Sequence, residues 1–186
     1  MSVDLQPNYY EDTMCIYTDG SGYKGKVGSA AAYQTTEGSI ITRRLNLGDL
    51  NKHTVFEAEV TGLILALDII RSRPFTKVEK VTILLDNQAA ILAAGKPKKQ
   101  SGQYIIQGFH ASFQKILKER PRFQLHLAWV PGHADVKMNE VVDVEAKRAA
   151  EGPVTATTIK YKALKGDLPI SIAAAKGHNK KLVAAE

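Results

Sequence analysis

The order of periodic segments along the chain is the feature that most constrains its fold. Three β-prone segments come first, and an amphipathic segment follows in which Phe56, Val60 and Leu63 recur at helical spacing. Strands and helices then alternate to the end of the patterned region. This order predicts an α/β fold whose mixed five-stranded sheet, three antiparallel strands and then two parallel ones, is flanked by helices. The predicted strands are 14–18, 27–34, 39–47, 80–85 and 123–130, and the later helices are 87–94, 102–119 and 138–150.

Length and composition are those of an ordinary globular protein. The 186 residues suit one domain with a modest appendage, and 44% hydrophobic with 24% charged residues is far from a disordered composition. A single cysteine, Cys15, excludes an intrachain disulfide. The N-terminus lacks a signal-peptide pattern and no apolar run approaches the ~20 residues that span a bilayer. We therefore expect an intracellular protein, cytoplasmic or nuclear, without a membrane partner.

Changes in composition divide the chain into three parts. Residues 1–11 form an N-terminal extension, residues 12–151 carry the periodic pattern, and residues 152–186 form a basic tail in which 169–176 could be a short docked helix. The formal charge of +6 makes a polyanion a plausible partner. The lysines of the tail are either a solvated surface or a contact with nucleic acid.

Four acidic residues stand where the surrounding pattern does not require them. Asp19 and Asp86 each end an apolar strand, Glu59 lies near the start of the first helix, and Asp143 lies inside the last one. Asp19 begins a Gly-rich run, residues 19–22, that predicts a turn. Each acid alone could be a turn former or helix cap. In an open sheet, however, functional groups collect at strand ends, so four acids from four elements can converge.

Converging carboxylates repel one another unless some are protonated or cations neutralise them. Hard oxygen ligands of this kind select Mg²⁺, with Mn²⁺ as a possible substitute. Two such ions about 3.5–4 Å apart can activate water and stabilise a leaving oxygen in phosphodiester cleavage. The four acids therefore predict two-metal-ion chemistry.

At these acids the sequence resembles the ribonuclease H family, over about residues 12–151. Each motif is weak alone, but their order and intervals together are specific. The sequence WVPGH and the short connection 96–102 look most like the ribonuclease H domains of non-LTR retrotransposon polyproteins, which accompany a reverse transcriptase. The matching motifs are residues 17–21 (YTDGS), 58–60 (AEV), 85–90 (LDNQAA), 129–133 (WVPGH) and 139–143 (NEVVD).

The resemblance implies catalytic roles for five residues. Asp19 would bridge both metal ions, Asp143 would complete the ion that holds the attacking water, and Glu59 with Asp86 would hold the ion at the leaving 3′ oxygen. His133 would correspond to the auxiliary histidine of the family, which assists proton movement or product release. Its alternative is a loop histidine without a function.

The resemblance also implies substrate contacts. The backbone near Gly20, Ser21 and Gly22 is suited to close approach, because glycine leaves the path open. Gln88 and Asn139 are candidate groove or backbone contacts, or else helix-start residues that satisfy local amides. The chain departs from many cellular members at residues 55–57, where it has VFE in place of polar groove-reading residues. Contacts from that stretch are therefore in doubt.

The implied function is endonucleolytic hydrolysis of the RNA strand of RNA/DNA hybrids, with a reverse transcriptase attached or associated. Two alternatives remain at this point. One is a non-catalytic interaction or spacer module that retains the fold, which the presence of all four acids disfavours. The other is a DNA-processing nuclease of the same fold, which would lack an acid equivalent to Glu59.

Overall fold

The computed structural model describes residues 1–4, 14–72, 78–96, 101–132, 136–152, 164 and 168–183. Within these ranges it contains six strands and five helices. The strands are β1 (Ser2–Asp4), β2 (Met14–Tyr23), β3 (Lys26–Gln34), β4 (Ile40–Asp49), β5 (Lys80–Leu85) and β6 (Gln124–Trp129); the helices are α1 (Val55–Ser72), α2 (Gln88–Gly95), α3 (Gln103–Glu119), α4 (Lys137–Glu151) and α5 (Ile172–Val183).

The strands form one mixed sheet in the order β1-β6-β5-β2-β3-β4. β2, β3 and β4 pair antiparallel, whereas β5 pairs parallel with both β2 and β6. The predicted fold class is therefore confirmed. Five strands were expected and six are present, because β1 pairs parallel with β6 at the edge of the sheet. A strand of three residues is too short to show a periodic pattern, so it could not be predicted from hydrophobic periodicity.

The turn predicted at residues 19–22 is wrong, because these residues continue β2. The chain reverses instead at Lys24 and Gly25, both of which have positive φ angles, 47° and 76°. Gly20 is required for another reason. A Cβ built at Gly20 would lie 2.4 Å from the backbone nitrogen of Glu59, so glycine permits α1 to cross β2 at close range.

Helices cover both faces of the sheet. Alternate residues of β3 serve the two faces: Ala31 belongs to the main core under α1, whereas Ala30 and Ala32 pack against α4. Residues 57–70 of α1 are buried throughout. A helix buried to this extent is held in a fixed position, which matters because α1 carries Glu59.

The chain after α4 packs back onto the domain. Leu164 is 5% exposed and belongs to the main core, and Leu168 packs against it. The expected helix at 169–176 is present in shifted form, since α5 begins at Ile172 and extends to Val183.

The three-part division at residues 11 and 151 stays a prediction. No described helix combines the length and the apolar character needed to cross a bilayer.

Candidate active site

Two of the four predicted acids lie side by side just beyond the point where the parallel pairing of β2 with β5 stops. Tyr17 of β2 pairs with Leu84 of β5, so Asp19 and Asp86, each two residues further on, reach the same level of the sheet. The carboxyl ends of parallel strands are where functional groups collect in α/β sheets. The strand register therefore brings these two acids together.

The third acid comes from α1. The close crossing at Gly20 brings Glu59 to the same place, and Asp19, Glu59 and Asp86 each offer a carboxylate oxygen within 4.8 Å of the other two. Asp19 is 9% exposed and Glu59 4% exposed. We refer to Asp19, Glu59 and Asp86 as the acid trio.

Burial and mutual repulsion raise the pKa values of two acids of the trio. Burial, reinforced by the charges of Asp86 and Asp143, raises the pKa of Asp19 to about 6. Burial, reinforced by Asp19 and Asp86, raises the pKa of Glu59 well above its usual value. The backbone N–H of Gly20 opposes both shifts by donating hydrogen bonds to the two carboxylates.

A divalent cation fits this site. Oε2 of Glu59 is buried and has no hydrogen-bond partner among the described residues, which is costly for a carboxylate oxygen. A cation would supply that partner and relieve the repulsion that raises the pKa values. Carboxylate oxygens are the ligands of hard ions such as Mg²⁺ and Mn²⁺.

Asp143 lies at the margin of the site. It belongs to α4, and its charge raises the pKa of Asp19, although it does not join the group of oxygens within 4.8 Å. Its Oδ2 accepts a hydrogen bond of 2.6 Å from Nζ of Lys147, and its side chain is 36% exposed. The structure thus brings three predicted acids together and keeps the fourth nearby, paired with a lysine.

The loop after β6 packs against Asp86. The indole Nε1 of Trp129 donates to the carbonyl oxygen of Asp86 at 3.0 Å, and the amide of Val130 donates to the carbonyl of Leu85 at 3.1 Å. A Cβ at Gly132 would lie 2.9 Å from Oδ2 of Asp86, so only glycine leaves the carboxylate its place. His133, the predicted auxiliary histidine, lies outside the described residues.

The predicted substrate residues occupy different surroundings. Ser21 is 9% exposed within β2, Gln88 is exposed at the start of α2, and Asn139 is 8% exposed in the first turn of α4. The side of Gly20 on which a Cβ would lie is filled by α1, so its lack of a side chain serves helix packing rather than open approach. A Cβ at Gly22 would lie 3.0 Å from Cγ2 of Val55.

Sequence reasoning missed two residues that touch the acids. The side chain of Asn87 hydrogen bonds to Glu59 and also caps α2 by accepting from the amide of Ala90. Lys147 pairs with Asp143. Both carried a signal: Asn87 directly follows Asp86, and Lys147 stands four residues after Asp143, at the spacing of helical ion pairs.

Comparison with known proteins agrees with this fold and site. A profile described as RNase H matches residues 11–151. The structure resembles ribonuclease H1 from Halobacterium salinarum NRC-1, at 17% identity and a TM-score of 0.51, over 74% of this chain and 96% of that one. It also resembles the N-terminal ribonuclease H domain of rv2228c from Mycobacterium tuberculosis, at 19% identity and a TM-score of 0.54, over 75% of this chain and 99% of that one.

A third similar structure is LC11-RNase H1, which was isolated from compost by a metagenomic approach and solved in complex with an RNA/DNA hybrid. It shares 19% identity and a TM-score of 0.54, over 74% of this chain and 99% of that one. No curated protein matches the sequence significantly.

The sheet order and the acid trio define an α/β protein with a candidate site for divalent cations. Because the matching profile covers most of the chain, the chain belongs to the ribonuclease H family. It is a ribonuclease H, as the sequence motifs predicted, and the predicted enzyme class is confirmed.

Proposed function

We propose that the protein hydrolyses the RNA strand of RNA/DNA hybrids endonucleolytically, with two divalent cations. The observation that carries this proposal is the acid trio, whose carboxylates approach one another within 4.8 Å, so that burial and mutual repulsion raise the pKa values of Asp19 and Glu59. Family membership supplies the reaction class, and the hybrid bound to LC11-RNase H1 supports the choice of substrate.

Each acid has a proposed place in this reaction. Asp19, whose pKa responds to both Asp86 and Asp143, would serve both ions; Asp143 would serve the ion at the attacking water, and Glu59 with Asp86 the ion at the leaving 3′ oxygen. When bound, the two ions, Mg²⁺ with Mn²⁺ as a substitute, activate the water and neutralise the leaving oxygen. His133 would assist proton movement or product release.

The remaining predicted residues would hold the substrate. Ser21 and the backbone of Gly20 and Gly22 follow Asp19 on β2, and Gln88 follows Asp86 at the start of α2. Asn139 lies one helical turn before Asp143. Their positions next to the acids support a role in contacting the hybrid backbone or its minor groove, where ribose hydroxyls are displayed.

The deciding experiment uses a labelled RNA/DNA hybrid with Mg²⁺ and the variant Asp19→Asn. We expect cleavage only of the RNA strand, none in EDTA, and a loss of at least about 10²-fold in the variant, because a ligand of both ions is removed. The matched control is Asp49→Asn, which removes an exposed carboxylate paired with Lys26 and should retain full activity.

Three outcomes would contradict the proposal. Inert behaviour of both wild type and Asp19→Asn would favour a spacer module that retains the fold. Duplex DNA and duplex RNA are also offered as competitors of the hybrid. Preferential cleavage of the duplex DNA would favour a DNA-processing nuclease. Undiminished cleavage by Asp19→Asn would place the chemistry elsewhere.

We further propose a biological setting, which the motifs at 129–133 and 96–102 support. The domain, residues 12–151, would belong to a non-LTR retrotransposon and act inside the cell with an attached or associated reverse transcriptase, removing template RNA. Residues 1–11 and 152–186 would flank it. A reverse-transcriptase reading frame adjoining this coding sequence is the expected finding, and its absence would contradict this setting.

A further inference from the structure

The helix α5 lies beyond residue 151, where the family match ends. Its start is nevertheless fixed to the domain. The amide of Ser171 donates to the carbonyl of Lys52 at 2.7 Å, and the hydroxyls of Ser171 and Ser101 are 3.0 Å apart. Ser171 is 4% exposed, Ala174 is 7% exposed, and the amide of Ala174 donates to Oγ of Ser171. The first turn of α5 is thus capped by Ser171 and held against the body on the side of Ser171 and Ala174.

The anchoring point connects with the acid trio through a short series of contacts. Lys52 stands two residues after Leu50, whose side chain lies beside Gly22, three residues beyond Asp19 on β2. Val55, which also lies beside Gly22, is one helical turn from Glu59. The start of α5 is therefore at the end of the molecule that carries the acids, at a distance on the order of 20 Å judged from strand and helix rise.

The residues of α5 are neutral or basic. Its sequence, IAAAKGHNKKLV, contains no acid. Lys176 and Lys180 are exposed, and within the described part of the chain neither has an acidic partner. Basic residues on β2–β4 and α4 are paired instead: Lys24 with Glu151, Lys26 with Asp49, Arg43 with Asp68, Arg44 and Arg148 with Glu145, and Lys147 with Asp143.

The spacing of these lysines suits a linear polyanion. Lys176 and Lys180 are four residues apart, so they lie on one face of α5 about 6 Å apart along the axis, together with exposed Ile172. Lys176 also borders a cavity of about 590 Å³ between α5 and the start of α3. A duplex rising about 3.4 Å per base pair covers the distance from the acids to this face with roughly six base pairs.

We infer that α5 is a second nucleic-acid contact, in which Lys176 and Lys180 bind phosphates of the hybrid outside the cleavage site. This inference rests on the proposed function, since it extends the same substrate from the acid trio onto α5. The helix contributes charge at a fixed place, because its first turn is anchored by Ser171. It takes no part in the chemical step.

The test measures binding of a 20-base-pair hybrid to the full chain carrying Asp19→Asn, which prevents cleavage, by fluorescence anisotropy over a range of salt concentrations. The test variant adds Lys176→Gln and Lys180→Gln. The matched control adds Lys115→Gln and Lys118→Gln, which removes the same charge from exposed positions of α3. Circular dichroism establishes that each variant is folded.

We expect the α5 variant to bind about tenfold more weakly at 0.1 M salt, with the slope of log K against log salt reduced by about 1 to 2, because two phosphate contacts are lost. The α3 variant should bind like the parent. An equal loss in both variants, attributable to net charge, or no loss in either, would overturn the inference. Cleavage of the hybrid by wild type, measured separately, distinguishes this failure from failure of the proposed function.

Discussion

At Asp19, burial and two neighbouring carboxylates act in the same direction on the ionisation equilibrium. The pKa is about 6 in the folded protein and 3.8 in the unfolded chain, so folding favours the protonated form. The contribution of this group to stability is complete below pH 3.8 and is lost as the pH rises through about 6. In the absence of metal, the ionised site is therefore a cost to the fold at neutral pH.

The first prediction follows from that sign. Asp19→Asn should raise the free energy of unfolding at pH 7 in EDTA by about 3 kcal/mol, because it removes a buried, repelled charge worth roughly two pKa units. The gain should shrink towards zero as the pH falls from 6 to 4. Urea titrations of wild type and variant at pH 7 and pH 4, followed by circular dichroism, measure this difference in the free energy of unfolding.

The control for this prediction is Asp49→Asn. Its exposed carboxylate is paired with Lys26 and does not act on the pKa of Asp19 or Glu59, so the variant should show no gain in stability at pH 7. A loss of stability in Asp19→Asn at pH 7 would mean that the carboxylates of the trio are not in repulsion.

At the scale of elements, the crossing of β2 and α1 positions Glu59. Gly20→Ala should lower the free energy of unfolding by about 3 kcal/mol or more, since its Cβ would collide with the backbone nitrogen of Glu59, which cannot move alone. Gly25→Ala meets no atom within 4 Å and should cost only about 1 kcal/mol, from its positive φ of 76°. Similar denaturation midpoints for the two variants would contradict this account.

A second prediction concerns the segment after α4. A chain ending at residue 152 loses Leu164, which is buried in the main core, and the docking of Leu168 and Ser171. It should be less stable by about 2–4 kcal/mol, from the burial of one to two leucine side chains. A chain ending at residue 176 keeps these contacts and should lose little. Thermal melts that do not separate the two truncations would contradict the packing of this segment.

The elements also explain which features could be predicted from the sequence. Most of the elements have an apolar pattern that can be recognised locally, such as the continuous run of β5 and the helical spacing of α1 and α3, so their order predicts the sheet. β1 has three residues and therefore no period. The glycines at 20 and 22 were interpreted as a turn because their packing partners, Glu59 and Val55, are distant in sequence.

The same distinction holds within the site. Asp19, Glu59 and Asp86 were predicted because each interrupts an apolar pattern at the end or start of an element. Their mutual distance, the orphaned Oε2 of Glu59 and the support from Asn87 depend on the register of β2 with β5 and on the angle of α1. Those quantities are set by tertiary packing, which no local pattern encodes.

At the scale of the whole molecule, metal binding, protonation and stability are linked. A cation that binds the folded trio stabilises the protein by mass action, and it must displace the protons that Asp19 and Glu59 retain near neutral pH. Binding should therefore release protons and weaken as the pH falls below about 6. We therefore expect the stability of the protein to depend on both magnesium concentration and pH.

The corresponding prediction is a pH-dependent thermal shift. At pH 8, 10 mM MgCl₂ should raise the melting temperature of the wild type by several degrees. A magnesium concentration of ten times Kd contributes about 1.4 kcal/mol to the free energy of unfolding. At pH 5 the shift should vanish, because protonated carboxylates do not bind the ion. Scanning calorimetry with NaCl at matched ionic strength separates specific binding from screening. Asp19→Asn should show no shift at either pH, and an equal shift in wild type and variant would mean that magnesium binds somewhere other than the trio.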